Sequence, residues 1–236
     1  MIKVCHMTSA HGTEDVRIFH KECVSLANAG YEVYEVARGE SYDKNGVHIV
    51  GVGDIPKSRR KRMTEGAKRV YQKALELDCD IYHFHDPELL PYGLKLKRRG
   101  KKVIFDSHED VPGQIMDKGY IPKPLRKMVS VLYKAYETHI VKNIDAVVAA
   151  TPHIAEKFEG RARKVVTVNN YPKLDDIVFH ETPFSERDAI VCYAGGIGEL
   201  RGEKIMIEAM KDVDGTLVIA GEHEKIEIGG GVQLNT

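Results

Sequence analysis

The chain has 236 residues, and its 35 Lys and Arg balance 35 Asp and Glu, so the formal net charge is zero. Hydrophobic residues at 42% and charged residues at 30% exclude a disordered, collagen-like or membrane-spanning chain. No apolar run approaches the roughly 20 residues of a spanning helix. The apolar part of residues 1–7 is too short for a signal peptide. Cys5, Cys23, Cys79 and Cys192 are dispersed without a Cys-x-x-Cys pair, which argues against a disulfide scaffold or zinc ribbon and fits a reducing cytoplasm.

Short β-branched runs alternate with helical patterns, the signature of βαβ units and a parallel sheet. Residues 2–8 predict a strand. A helix over 14–29 follows, with Val16, Phe19, Cys23 and Leu26 as its apolar stripe and Gly30 as its stop. Strands are expected at 31–37 and 47–52, then a charged helix at 57–77 and a strand at 80–85. A helix at 87–99, a strand at 103–107 and a long amphipathic helix at 122–143 come next. Val129, Leu132, Tyr133, Tyr136 and Ile140 are expected to share one face of that long helix. A strand at 146–150 precedes Thr151-Pro152, an N-cap with proline at the first helical position. A short helix to Phe158 and a strand at 164–169 complete one sheet.

The polar stretch 173–188 reads as a linker. After it the pattern restarts with a strand at 189–194, a glycine turn, a helix at 203–210 and a strand at 216–220. The expected architecture is therefore α/β. It comprises a Rossmann-like, mostly parallel sheet flanked by helices over 1–172, a linker at 173–188, and a partial second Rossmann-like unit over 189–236.

The neutral total hides an asymmetry. Residues 56–143 hold 20 Lys and Arg against 11 Asp and Glu, a surplus of nine that the rest of the chain offsets. Two runs at 57–62 and 95–102 supply most of it. A solvated helix face is the plain reading; an anionic lipid surface or a phosphorylated substrate is the functional one. Nucleic acid is not expected, because no recognition module accompanies the charge and the chain has no Trp.

Candidate site residues cluster at the carboxyl ends of predicted strands, where open parallel sheets bind ligands. The first group is Ser9-Ala10-His11-Gly12-Thr13-Glu14-Asp15-Val16-Arg17. Gly12 permits close backbone approach, the helix start favours anions, and Asp15 and Arg17 could bond hydroxyls or phosphate; a capped helix start with a surface ion pair is the alternative. The second group is His83-Phe84-His85-Asp86 with Asp106-Ser107-His108-Glu109. His83 and His85 share a strand face and could chelate a metal. No third spaced ligand is evident, so a polar substrate crevice is preferred and no metal or cofactor is assigned. His108 is the best-placed imidazole for contacting a sugar. The third group is Gly195-Gly196-Ile197-Gly198 with Arg201-Gly202, which reads as a phosphate cradle whose Arg201 could grip a diphosphate. Gly229-Gly230-Gly231 lacks such a context and reads as a flexible end.

The run Asp15-Val16-Arg17-Ile18-Phe19-His20-Lys21-Glu22, continuing to Ala29-Gly30-Tyr31-Glu32-Val33, resembles the opening of GT-B glycosyltransferases of the family 4 type. His85-Asp86, Ser107-His108-Glu109, and Tyr193-Ala194-Gly195-Gly196 with Arg201-Gly202 follow in the expected order. The resemblance implies a retaining transferase that moves a sugar from a nucleoside-diphosphate donor to a glycan or lipid-linked acceptor, in surface polysaccharide or glycoconjugate synthesis. It implies acceptor binding mostly on the first domain, where His11, Asp15, Arg17, His85, Asp86 and Glu109 are the candidate contacts. His108 matches the active-site histidine, and Gly12, Gly195, Gly196 and Arg201 fall on the donor side. The expected location is cytoplasmic, at the inner face of a membrane, with Tyr120, Ile121 and Leu125 beside Lys123, Arg126 and Lys127 as the contact.

The family's E-x7-E segment has no counterpart in this sequence. The chain by itself is accordingly expected to be inactive. The alternatives are a non-catalytic acceptor-binding module and a nucleotide-sugar epimerase of the same architecture.

Overall fold

The computed structural model describes residues 1–54, 58–174, 177, 181–198 and 201–221. Lys57 of the first basic run and the triplet Gly229-Gly230-Gly231 lie outside them. The chain divides into two compact units, Met1–Leu174 and Asp175–Thr236.

The first unit is built on an eight-stranded sheet in the order β3-β4-β2-β1-β5-β6-β7-β8. Its strands are β1 (Lys3–Gly12), β2 (Glu32–Arg38), β3 (Tyr42–Lys44), β4 (Val47–Gly51), β5 (Ile81–Phe84), β6 (Lys102–Ser107), β7 (Ala146–Ala149) and β8 (Val165–Thr167). Every pairing is parallel except the short β3–β4 hairpin. Asn45 and Gly46 turn that hairpin with positive φ, 51° and 76°, the geometry a tight hairpin needs. The sequence patterns did not reveal β3, because three residues are too few for alternation to register.

Alternation along each strand separates two faces. Cys5, Met7, Tyr82, Phe84, Val103, Phe105 and Val147 point to one side. There they meet α2 (Ala67–Glu76), α3 (Leu90–Arg98), α5 (Lys123–Val141) and α6 (Pro152–Phe158) in the larger core. Tyr82, Phe84 and Phe105 are fully or almost fully buried, and each such side chain contributes about 1.5–3 kcal/mol relative to exposure. The opposite face meets α1, which is π-wound over Val16–Cys23 and α-helical over Val24–Asn28. Ile18, Phe19 and Cys23 of α1 cover Val33, Val47 and Ile49.

The π winding corrects the expected apolar stripe. Val16 is 60% exposed, while Ile18 is buried beside Phe19. The winding begins where Asp15 caps the helix, its carboxylate accepting from the Arg17 and Ile18 amides, and the Val24 amide still reaches back five residues to the Phe19 carbonyl. A five-residue repeat brings residues 17 and 22 to one side, which an α-helix would splay apart. α5 also differs from expectation. Leu132 and Tyr136 face solvent, and the buried residues are Glu137, Ile140 and Val141. On that buried face the Glu137 carboxylate meets the Arg161 guanidinium at 2.6 Å. A short helix, α4 (Val111–Asp117), precedes α5; the Pro112-Gly113 pair in its first turn masked it in the sequence.

The second unit pairs β9 (Ile190–Ala194) in parallel with β10 (Thr216–Ala220), connected through α7 (Glu203–Ala209).

Candidate functional site

The sheet's second face carries a polar row. Parallel register sets His6 of β1 beside Glu35 of β2 and His83 of β5, and His85 and Asp106 follow at the strand ends. All five side chains are buried. Asp106 is the hub. Arg17 grips it with Nε to Oδ2 and Nη2 to Oδ1, both 3.0 Å. His85 Nδ1 lies 3.4 Å and His108 Nε2 3.3 Å from Oδ2. Burial by itself would raise the Asp106 carboxyl; the hydrogen bonds from His108 and then His85 prevail and hold it well below the usual carboxylate range. An ionised Asp106 fixes the proton of His108 on Nε2 and leaves the lone pair on Nδ1.

The histidines deeper in the row are held neutral. Burial, reinforced by the other imidazoles, lowers His6 well below its ordinary range and takes His83 down to about 3. Glu22, carried to the same place by the π winding, is raised far above a normal carboxylate, first by burial and then by Asp106.

Above Asp106 the strand ends open into a crevice of about 650 Å³. His11, His85, Ser107, His108 and Glu109 line one side, and Gln114, Lys118 and Tyr133 of the α4–α5 region line another. The His11 and His108 rings stand 5.9 Å apart between centroids, so two imidazoles flank one space. A polar crevice at strand ends with two imidazoles and a carboxylate can bind hydroxyl-rich ligands and exchange a proton with them.

The predicted residues separate into those the crevice collects and those the fold employs elsewhere. His11, His85, His108 and Glu109 are in it. Asp86 holds the end of β1, with Oδ2 accepting from the Thr8 hydroxyl at 2.8 Å and the Ser9 and Ala10 amides at 2.6 and 3.1 Å. Asp15 is the cap of α1, and Arg17 is internal, with Nη1 on the Val168 carbonyl at 2.8 Å. At Gly12 a Cβ would meet nothing within 4 Å, so packing does not require glycine there and the backbone is open to close approach. In the second unit, the Gly195 amide bonds the Ala220 carbonyl at 2.8 Å. Gly196 accepts from the Tyr193 hydroxyl, and Arg201 is exposed on the turn before α7.

The sequence reading left out His6, Glu22, Gln114, Lys118 and Tyr133. His6 carried a signal, a lone imidazole between Cys5 and Met7 in a buried strand. Glu22 carried none, since its direction depends on the π winding.

The Glycosyltransferase Family 4 model matches residues 16–171. The chain belongs to this family. No curated protein sequence matches it. Among solved structures, this family 4 chain is similar to sucrose-phosphate synthase from Thermosynechococcus elongatus, at 13% identity and TM-score 0.66, covering 93% of this chain and 62% of that one. It is also similar to the lipopolysaccharide outer core galactosyltransferase WaaB in its apo form, at 15% identity and TM-score 0.51, covering 92% and 60%. A third is MurG from Acinetobacter baumannii, at 14% identity and TM-score 0.50, covering 93% and 57%. At these identities the likeness is one of fold, and the chain spans about three-fifths of each neighbour's length.

Proposed function

We propose that residues 1–172 of this family 4 chain form the acceptor-side domain of a retaining glycosyltransferase, followed by a linker at 173–188 and, from residue 189, the nucleotide-sugar side. The reaction is transfer of a sugar from a nucleoside-diphosphate donor to a glycan or lipid-linked acceptor. The observation that carries this reading is the crevice at the strand ends, where the His11 and His108 rings lie 5.9 Å apart, most of its lining falling inside the segment that matches the family. Asp106 orients His108, which presents Nδ1 to the reacting sugar. His11, His85 and Glu109 contact acceptor hydroxyls. Gly12 admits the donor phosphates, and Gly195, Gly196 and Arg201 take the diphosphate as its charge grows on leaving.

The acceptor side suits a membrane-borne substrate. Along α5, Leu125, Met128, Leu132 and Tyr136 form one exposed apolar stripe, beside the exposed Lys123, Lys127 and Lys134. A cytoplasmic protein held at an anionic inner leaflet by this stripe would meet lipid-linked intermediates of polysaccharide synthesis there. Of the residues expected at this contact, Arg126 is committed to the Ile121 and Met116 carbonyls; the lysines supply the charge.

The test is calorimetry of the purified chain with a lipid-phosphate-linked saccharide and with nucleoside diphosphates, plus acceptor-dependent release of diphosphate from nucleotide sugars. Saccharide binding that His108→Ala weakens supports the acceptor-side assignment. Absence of both saccharide binding and transfer would overturn it.

A further inference from the structure

Beneath the crevice, four side chains from three elements converge, and of these His85 alone has a role in the reading above. His83 and His85 come from one strand two residues apart, His6 stands across the ladder from His83, and Glu22 descends from α1. Glu22 Oε2 lies 3.8 Å from His6 Nδ1, 3.9 Å from His83 Nδ1 and 3.9 Å from His85 Nε2. His6 Nδ1 and His85 Nε2 are 3.0 Å apart. One donor atom from each of the four lies within 4.8 Å of the other three.

The geometry points to a buried, four-coordinate site for a divalent ion of the zinc class, held by His6, His83, His85 and one oxygen of Glu22. Tetrahedral bonds of 2.0–2.1 Å put donors about 3.3 Å apart, so small movements of Glu22 toward the three imidazoles complete the set. Three nitrogens and one carboxylate oxygen suit zinc-like ions over calcium or magnesium, which prefer oxygen.

Hydrogen bonding leaves this cluster unexplained. His6 with His85 is its one internal bond, and neither Glu22 oxygen makes a well-formed hydrogen bond within the cluster; its neighbours outside it are Arg17, whose Nε is 3.0 Å from Oε1, and Asp106. A buried polar network left half satisfied is costly; an ion at its centre would use the idle lone pairs. The surroundings also suit an ion. His85 turns its other nitrogen to Asp106 at 3.4 Å, the carboxylate–histidine support that orients metal-binding imidazoles. Arg17 is neutralised by its paired bonds to Asp106, so its charge does not oppose a cation unchecked. His6, Glu22 and His83 border a cavity of about 460 Å³ between α1 and the sheet, which provides an entry path. Four protein ligands leave no open position, which makes the site structural.

The experiment uses the full chain without an affinity tag, measuring bound metal by mass spectrometry and then titrating the chelator-stripped protein with Co²⁺ alone. The expected result is about one equivalent of zinc per chain and tetrahedral Co²⁺ absorption. Zinc at a hundred times its dissociation constant should raise Tm by about 5–10 °C. His83→Asn and Glu22→Gln should abolish the absorption, while His153→Asn, at an exposed histidine, should leave it intact. If His83→Asn does not fold, Glu22→Gln decides. Wild-type protein that takes up neither zinc nor Co²⁺ would overturn the site, as would absorption undiminished in the folded variants.

Discussion

Arg17 and Asp106 meet through two parallel 3.0 Å bonds, tying the first helix to β6 at the floor of the crevice. Both side chains are at least nine-tenths buried. Removing Arg17 leaves the buried Asp106 carboxylate with imidazole partners but no guanidinium, which costs about 3–5 kcal/mol. Arg17→Ala should lose stability of that order in urea denaturation. Arg17→Lys should recover part of it, because an ammonium keeps the charge but cannot span both oxygens. A loss under about 1 kcal/mol in Arg17→Ala would show the pair to be incidental.

His108 reads out the crevice separately from the fold. It is 21% exposed, and its loss leaves Asp106 with Arg17 and His85. His108→Ala should therefore alter stability by about 1 kcal/mol or less. It should weaken saccharide binding by about tenfold or more if Nδ1 meets a sugar hydroxyl. Calorimetry and thermal melting of the same preparation separate the two effects; equal saccharide affinity in wild type and variant would remove His108 from the site.

Much of this fold is legible in one sequence. The parallel order follows from β-branched runs alternating with helical ones, and the Thr151-Pro152 cap marks α6 to the residue. Legibility fails where the local period is not the helical or strand one. The π winding of α1 turns Val16 outward and Glu22 inward, and α5 buries Glu137 against Arg161 while Leu132 and Tyr136 face solvent. At the site, His85, His108 and His11 were visible as strand-end imidazoles. Asp86 and Arg17 looked like ligand-binding groups, yet both are occupied by the fold, since the sequence does not reveal which polar residue near a strand end a neighbouring backbone will claim.

The α5 stripe yields a test of membrane contact. Leu132 and Met128 are 62% and 53% exposed, so Leu132→Glu and Met128→Glu should change stability by about 0.5 kcal/mol or less. Liposome co-sedimentation should fall with either. Lys127→Glu with Lys134→Glu should remove the salt-sensitive part, at about 1 kcal/mol per lysine. Vesicle binding that responds neither to these changes nor to anionic lipid would exclude this face.

Glu35 supplies a pH-dependent prediction. It is fully buried, with neither carboxylate oxygen hydrogen-bonded. His6 stands beside it on β1, Cys23 lies close on α1, and Glu14 and Asp15 add negative charge from the helix start. Burial first, then Asp15 and Glu14, push its carboxyl from 4.5 up to about 8. Below pH 4.5 the folded and unfolded chains both hold the proton, and Glu35 causes no loss. Between 4.5 and about 8 the unfolded chain releases it while the folded chain keeps it. Stability therefore declines as pH rises through that window, by about 1.4 kcal/mol per unit at most, and levels off above it. Glu35→Gln keeps the shape and removes the titration. Relative to wild type it should gain roughly 2–4 kcal/mol between pH 4.5 and pH 8, read from urea denaturation at both values. Glu22 titrates in both proteins, so the difference isolates position 35. Curves for wild type and variant that run parallel across the window would show that Glu35 is not held protonated in the folded protein.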